Sequence, residues 1–279
     1  MNRTLWRRVF YVPLVVIALI GLLGCGKSRE EKAGKRILEA LQAKYGEEFV
    51  LDSIGGGWGT MNSNTLTAVV RPAEDKTLKV PVEITKDLKD VYDLYLNQAV
   101  ARNERPRIKA IAEQFWPGSK IIISNDTRLR YPEDNDINMS YTEFLRKNPT
   151  NKMLIKIYVN GDQYVDNNAK MDEEMEMSKY AAFAASVAEQ GYVSSTVSII
   201  YATPDMYNRF EEAFNSSHTV DRYFDLEKEK TGALYDITRT GYEIDKKGKI
   251  IESQEEIRSY FELWREEREA YIAHKSGPQ

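Results

Sequence analysis

The chain has 279 residues, with 39 Lys and Arg against 43 Asp and Glu for a formal charge of −4, and it holds 1 Cys and 2 His. That balance offers no basic stripe for nucleic acid, no disulfide framework and no zinc site built from His and Cys. The length holds one large domain or two small ones, each able to bury a real core.

The first stretch is a leader. Met1 to Arg8 carries Arg3, Arg7 and Arg8, and Val9 to Gly24 then runs uncharged and mostly apolar up to Cys25. A basic start, an apolar middle and a small residue at the end are the layout of a secretory signal. At about 1.5 Å per residue the apolar run spans about 24 Å as a helix, short of the roughly 30 Å hydrocarbon core. An uncleaved membrane anchor is the alternative, and the positive charge ahead of the run places the bulk of the chain outside in both cases. Leu22-Leu23-Gly24-Cys25 resembles a bacterial lipobox. The resemblance implies cleavage before Cys25 and lipidation of its thiol, so that the membrane itself is a partner through acyl chains worth about 0.8 kcal/mol per buried CH₂. With the only thiol so placed, a Cys–His nucleophile pair is excluded. The expected organisation is a signal peptide over 1–24, a tether over 25–31, an N-terminal unit over 32–104 and a C-terminal unit over 105–279.

The N-terminal unit reads helix, three-stranded meander, helix. Ala33, Ile37, Leu38, Leu41 and Tyr45 share one helical face, and Gly46 closes that helix. Strands follow at Phe49–Ser53, Leu66–Val70 and Leu78–Ile84. Pro81 inside the third predicts an edge strand, because proline has no donor for a ladder. From Asp87 the period lengthens, and Leu88, Val91, Tyr92, Tyr95, Leu96 and Ala99 predict a helix. The stretch Lys44-Tyr45-Gly46-Glu47-Glu48-Phe49, running on to Trp58-Gly59-Thr60, is similar to the opening of small uncharacterised lipoproteins of Bacillus-type bacteria.

Asn103-Glu104-Arg105-Pro106 interrupts the helical pattern and marks the boundary between units. Beyond it the spacing predicts a helix over Ile108–Phe115, a strand over Lys120–Ser124, a short helix over Tyr141–Lys147 and a strand over Met153–Val159. A helix over Asp172–Gln190 ends at Gly191, and Val193–Tyr201 reads as a strand. Thr203-Pro204-Asp205 is a helix start, with a capping hydroxyl and proline at the first helical position. Leu234–Ile244 and Lys249–Glu252 read as paired strands, and a last helix buries Ile257, Phe261, Trp264 and Tyr271. The fold class is α+β in two small units, the second larger and more mixed.

Each chemical constellation has a plainer account. Gly55-Gly56-Gly57-Trp58-Gly59-Thr60 lacks the Gly-Lys-Ser/Thr ending of a phosphate loop and reads as a hairpin. Asp134-Asn135-Asp136-Ile137-Asn138 spaces oxygen ligands as a calcium loop does, but Met139 stands where glycine is needed and Leu145 where the bidentate Glu belongs. Glu173, Glu174 and Glu176 oppose the positive end of a helix dipole, and Met171, Met175 and Met177 read as core filler. Ser216-Ser217-His218 has no nucleophile-elbow signature and reads as a polar exit loop. No cofactor is implied.

What is left is a lipid-anchored module on the outer face of a bacterial cytoplasmic membrane, binding an envelope protein or cell-wall partner. A cell-envelope hydrolase without a recognisable motif and a solute-binding lipoprotein are the alternatives. Asn125–Met139 is too long and polar for an ordinary connection, so Arg128, Arg130, Tyr131, Asp134 and Asp136 are the candidate partner-binding residues, with Trp58 beside them.

Overall fold

The computed structural model describes residues 29–55, 64–75, 77–125, 133–166, 170–216 and 218–276. In chain order the elements are α1 Arg29–Tyr45, β1 Phe49–Gly55, β2 Thr65–Pro72, β3 Val80–Thr85, β4 Val91–Asp93, α2 Tyr95–Phe115, β5 Lys120–Asn125, α3 Tyr141–Lys147, β6 Met153–Asn160, α4 Glu173–Glu189, β7 Ser195–Ala202, α5 Pro204–Asn208, α6 Phe210–Asn215, α7 Val220–Thr231, β8 Asp236–Ile244 and α8 Gln254–Ser276, with one 3-10 turn at Gly161–Gln163. The mixture is α+β, as the residue pattern predicts.

The first sheet is antiparallel in the order β1-β2-β3-β4. Its inner face, Leu66, Ala68, Val70, Val80, Val82 and Ile84, packs on Ala33, Ile37 and Leu41 of α1 and on Tyr95 and Ala99 of α2. Gly34 sits in that seam because a Cβ there would come within 2.8 Å of Leu51 Cδ2. Two expectations change here. The helix expected from Asp87 begins only at Tyr95, since Val91–Asp93 adds a fourth strand against Val82–Ile84. As a result β3 is central rather than an edge. Pro81 is tolerated because its nitrogen faces the β4 side, where the short strand has ended and Leu94 N–H instead bonds the Pro81 carbonyl at 3.2 Å.

The second sheet runs β5-β6-β7-β8, antiparallel at both edges and parallel between β6 and β7. A parallel pair needs a crossover, and α4 supplies it. Met153, Ile155, Ile157 and Val159 point to one face, where α2, α4 and α8 close the main core around Trp116, Phe183 and Phe261. Tyr158, Ile200 and Ala202 point to the other face, where Met206, Phe210, Val220 and Phe224 make a smaller core. Thr203 caps α5 by accepting Met206 N–H at 3.4 Å, with Pro204 following, and Ser140 caps α3 by accepting Glu143 N–H at 3.3 Å. The predicted strand Lys249–Glu252 shrinks to one bridge, Ile244 to Ile250.

The largest correction concerns Asn103–Pro106. The helical pattern is not interrupted there: α2 runs through Pro106 without a break. Its first turns carry Tyr95 and Ala99 into the first core, and Ile108, Ile111 and Ala112 go into the main core. The expected boundary at 104/105 therefore falls inside one continuous helix that both sheets share.

Candidate functional site

Where the two sheets meet α2, a cleft of about 340 Å³ opens. Its floor is the outer face of β5 and β6, with Ile122, Lys156 and Tyr158, and one wall is α2, with Gln98, Arg102 and Arg105. The connection from β2 to β3 brings Asp75, Thr77, Leu78 and Lys79, and the α6–α7 corner brings Phe214 of α6, His218 of the connection, and Val220 and Asp221 of α7. Strand alternation explains the floor: Ile122 lies opposite Lys156 and faces away from the main core, which takes their neighbours Ile121, Ile155 and Ile157. The volume lies at the lower end of small-molecule sites.

The lining carries four cations, Lys79, Arg102, Arg105 and Lys156, against two carboxylates, Asp75 and Asp221. The chain as a whole carries an acidic surplus, so this concentration of positive charge is local. Lys156 and Tyr158 both bond Asp221, the latter at 2.8 Å. Burial pushes the Asp221 carboxyl up, but these bonds and the Lys156 charge outweigh it and leave the group below the ordinary carboxylate range. Asp75 is treated alike: burial is overcome by hydrogen bonds from the Thr77 hydroxyl and N–H and by Arg102, 3.6 Å away.

The remaining two cations lack such partners. Lys79 donates to the backbone carbonyls of Ser216 and His218, the second at 2.8 Å, and among the described residues it has no carboxylate within ion-pair distance. Arg105 lays its guanidinium on the Phe214 ring, 4.5 Å from the centroid, and its Nε donates to the Ile121 carbonyl at 3.0 Å. No described carboxylate pairs with it. Burial lowers the pKa of both groups and outweighs the opposing pull of Asp52 on Lys79 and of Glu211 and Asp75 on Arg105, which is the mark of cations stripped of part of their water without a full counter-charge.

Of the residues singled out from the sequence, Cys25, Trp58, Arg128, Arg130 and Tyr131 lie outside the described residues. Asp134 and Asp136 stand away from the cleft. Asp134 pairs with Lys147 and accepts Asp136 N–H at 3.1 Å, and Asp136 accepts Asn138 N–H at 3.1 Å, so both carboxylates shape a turn. That turn ties the sheets together: Asn135 Nδ2 reaches the Lys44 carbonyl at 3.0 Å, Ile137 packs on the first core and Met139 enters the main one. Among the described residues no group of three or more His, Cys, Asp and Glu is arranged to hold a metal ion. His218 is exposed at the cleft rim, where its carbonyl, not its ring, meets Lys79. Tyr164, directly after the 3-10 turn, leans on Tyr201 under Lys179.

Glu176 departs from the dipole account. It is buried, and its carboxylate accepts Trp116 Nε1 at 3.0 Å, the Tyr201 hydroxyl at 2.6 Å and Lys179 Nζ at 2.6 Å. Met177 is core filler as expected, whereas Met175 is exposed. The cleft cations were not singled out from the sequence, because Lys79, the Arg102–Arg105 pair and Lys156 come from three segments far apart in the chain. Arg102 and Arg105 stand three apart on α2, but no short-range spacing joins them to Lys79 or Lys156.

The fold is similar to one solved structure, the crystal structure of a DUF5037 family protein from Ruminococcus gnavus ATCC 29149, with a TM-score of 0.51 and 16% identity over 82% of this chain and 98% of that one. No family model matches the sequence, and neither does any curated protein.

Proposed function

We propose that this chain is a lipid-anchored extracytoplasmic binding protein whose ligand site is the cleft between its two sheets. The anchor rests on Leu22-Leu23-Gly24-Cys25 closing an apolar run, and no helix among the described residues is long and apolar enough to cross a membrane. The observation that carries the binding site is the concave floor of Ile122 and Tyr158 with incompletely neutralised cations above it. A concave apolar surface with a few convergent polar groups is the usual form of a small-ligand site. It suits a small ligand better than a flat protein partner. Both cleft carboxylates are held low, so neither is placed to serve as a general acid near neutral pH.

Two measurements test this reading. Cells expressing the wild type incorporate labelled fatty acid into the protein, and Cys25→Ala abolishes the label; equal labelling overturns the anchor. Detergent-solubilised full chain, incubated with the small-molecule fraction of a cell extract and re-isolated, retains a bound molecule detectable by mass spectrometry. Ile122→Arg, which fills the cleft from its floor, loses that molecule, and equal retention by the variant overturns the site.

A further inference from the structure

We infer that the cleft recognises a small organic anion, with a carboxylate or phosphate head on Arg105, Arg102 and Lys79 and an apolar body over Ile122, Leu78 and Phe214. The inference rests on the binding reading above and names the chemistry of its ligand.

The argument begins with unused donors. The Arg105 side chain commits only Nε, to the Ile121 carbonyl, and its face, to Phe214. Its two terminal nitrogens donate to nothing among the described residues, and a guanidinium fixed by its stem and stacked on a ring presents those nitrogens in one orientation. A fork of this kind matches the two oxygens of a carboxylate or phosphate. Lys79 spends two of its three donors on carbonyls, which accept hydrogen bonds but supply no counter-charge. Arg102 shares Asp75 at 3.6 Å, long enough for an incoming oxyanion to compete. By contrast Lys156 is held by Asp221, which Tyr158 also bonds, and serves as a fixed edge.

The charge arithmetic agrees. The lining itself keeps two positive charges beyond its carboxylates, Asp52 and Glu211 act on Lys79 and Arg105 only from beyond ion-pair distance, and burying cations without full counter-charge is costly unless something else supplies it. A ligand anion would do so, and it would regain the lowered basicity of Lys79 and Arg105. The apolar side chains around the cations exclude a bare, fully hydrated ion as the best ligand, because they would remain uncovered.

Equilibrium dialysis of the detergent-solubilised full chain against four probes tests this. Phenylpropanoate and phenyl phosphate carry an apolar body with the two candidate heads, phenylpropanol carries the body alone, and inorganic phosphate carries the head alone. Both or one of the organic anions should bind about tenfold or more tighter than the alcohol, with the tighter one identifying the head, and each step of tenfold corresponds to about 1.4 kcal/mol. Arg105→Ala should remove most of that advantage while leaving alcohol binding unchanged, and raising salt should weaken the anions alone. Equal affinity for anions and alcohol, with both displaced by Ile122→Arg, overturns anion recognition while the cleft remains a binding site. Inorganic phosphate binding as well as phenyl phosphate overturns the apolar subsite. No binding by any probe overturns the anion inference, while the small-ligand reading stands or falls with the molecule retained from the extract. The comparison of probes on the wild type decides the matter even where Arg105→Ala folds poorly.

Discussion

Glu176 shows how much one residue can hide. At the start of α4 it looks like an acid placed against the helix dipole, yet it shares a helical face with Tyr180, Phe183, Ala184 and Val187, all of them buried. That spacing was the available signal, since an acid in phase with a core stripe needs partners inside. Trp116, Tyr201 and Lys179 supply them from three directions, and Tyr180 joins through the Tyr201 hydroxyl. Glu176→Ala would leave an indole N–H, a phenol and an ammonium without their acceptor. The expected loss is about 3 kcal/mol, read as a lower urea midpoint, and a change under about 1 kcal/mol would show that water replaces the carboxylate. Asp221 gives a second prediction at this scale, through pH. Its native carboxyl lies below the ordinary value of 3.8, so the unfolded chain takes up the proton first as pH falls. The stability it contributes is complete above that ordinary value and is lost as pH drops through the lower native one. Asp221→Asn should therefore be less stable at neutral pH but lose stability less steeply below about pH 4 in thermal melts. Parallel slopes for both proteins would mean that Lys156 and Tyr158 do not hold the charge as described.

Helices and strands were legible wherever local chemistry and the core agreed. The cap at Thr203-Pro204, the glycine ends of α1 and α4 (Gly46 and Gly191, both with positive φ) and the β-branched run of β6 all fall where the pattern puts them. The misses have physical causes. β4 is three residues long, too short for a period, and α7 went unread although Thr219 caps it, Val220 and Phe224 mark its buried face and Gly232 closes it in the left-handed region. Pro106 is the instructive case. Proline inside a helix removes one donor and crowds the carbonyl four residues back, here Arg102. Pro106 lies on the exposed side of α2, so that carbonyl can turn to water and the core face continues from Val100 to Ile108. Tertiary packing overrides the local breaker. Pro106→Ala should then stabilise the chain by about 1–2 kcal/mol, the regained helix bond outweighing the added freedom of the unfolded state. A fall in melting temperature would instead assign the proline a bend that seats both sheets.

At the scale of the whole molecule the question is whether two sheets make two folding units. The sequence suggested a division near residue 104 because it saw a proline and a change of rhythm. What it could not display are contacts between distant segments: the Asn135 bond to Lys44, the Asn103 bond to the Ile137 carbonyl at 2.8 Å, and Lys79 reaching across the cleft to the α6–α7 connection. These links, together with a 21-residue helix of about 31 Å seated in both cores, oppose independent opening. A helix exposes its backbone to a protease only by local unfolding, and here that would strip apolar side chains from two cores at once. Limited proteolysis should accordingly spare Asn103–Arg105. Thermal unfolding followed by near-ultraviolet and far-ultraviolet circular dichroism should give one coincident transition. Lys79→Met removes the bonds across the cleft without touching α2, and it should speed amide exchange in β3 and at the start of α7 while leaving exchange at Ile108–Ala112 unchanged. Two separated transitions in the wild type, with early cleavage between Asn103 and Arg105, would mean that the shared helix does not couple the cores and that residues 32–104 and 105–279 fold as separate units.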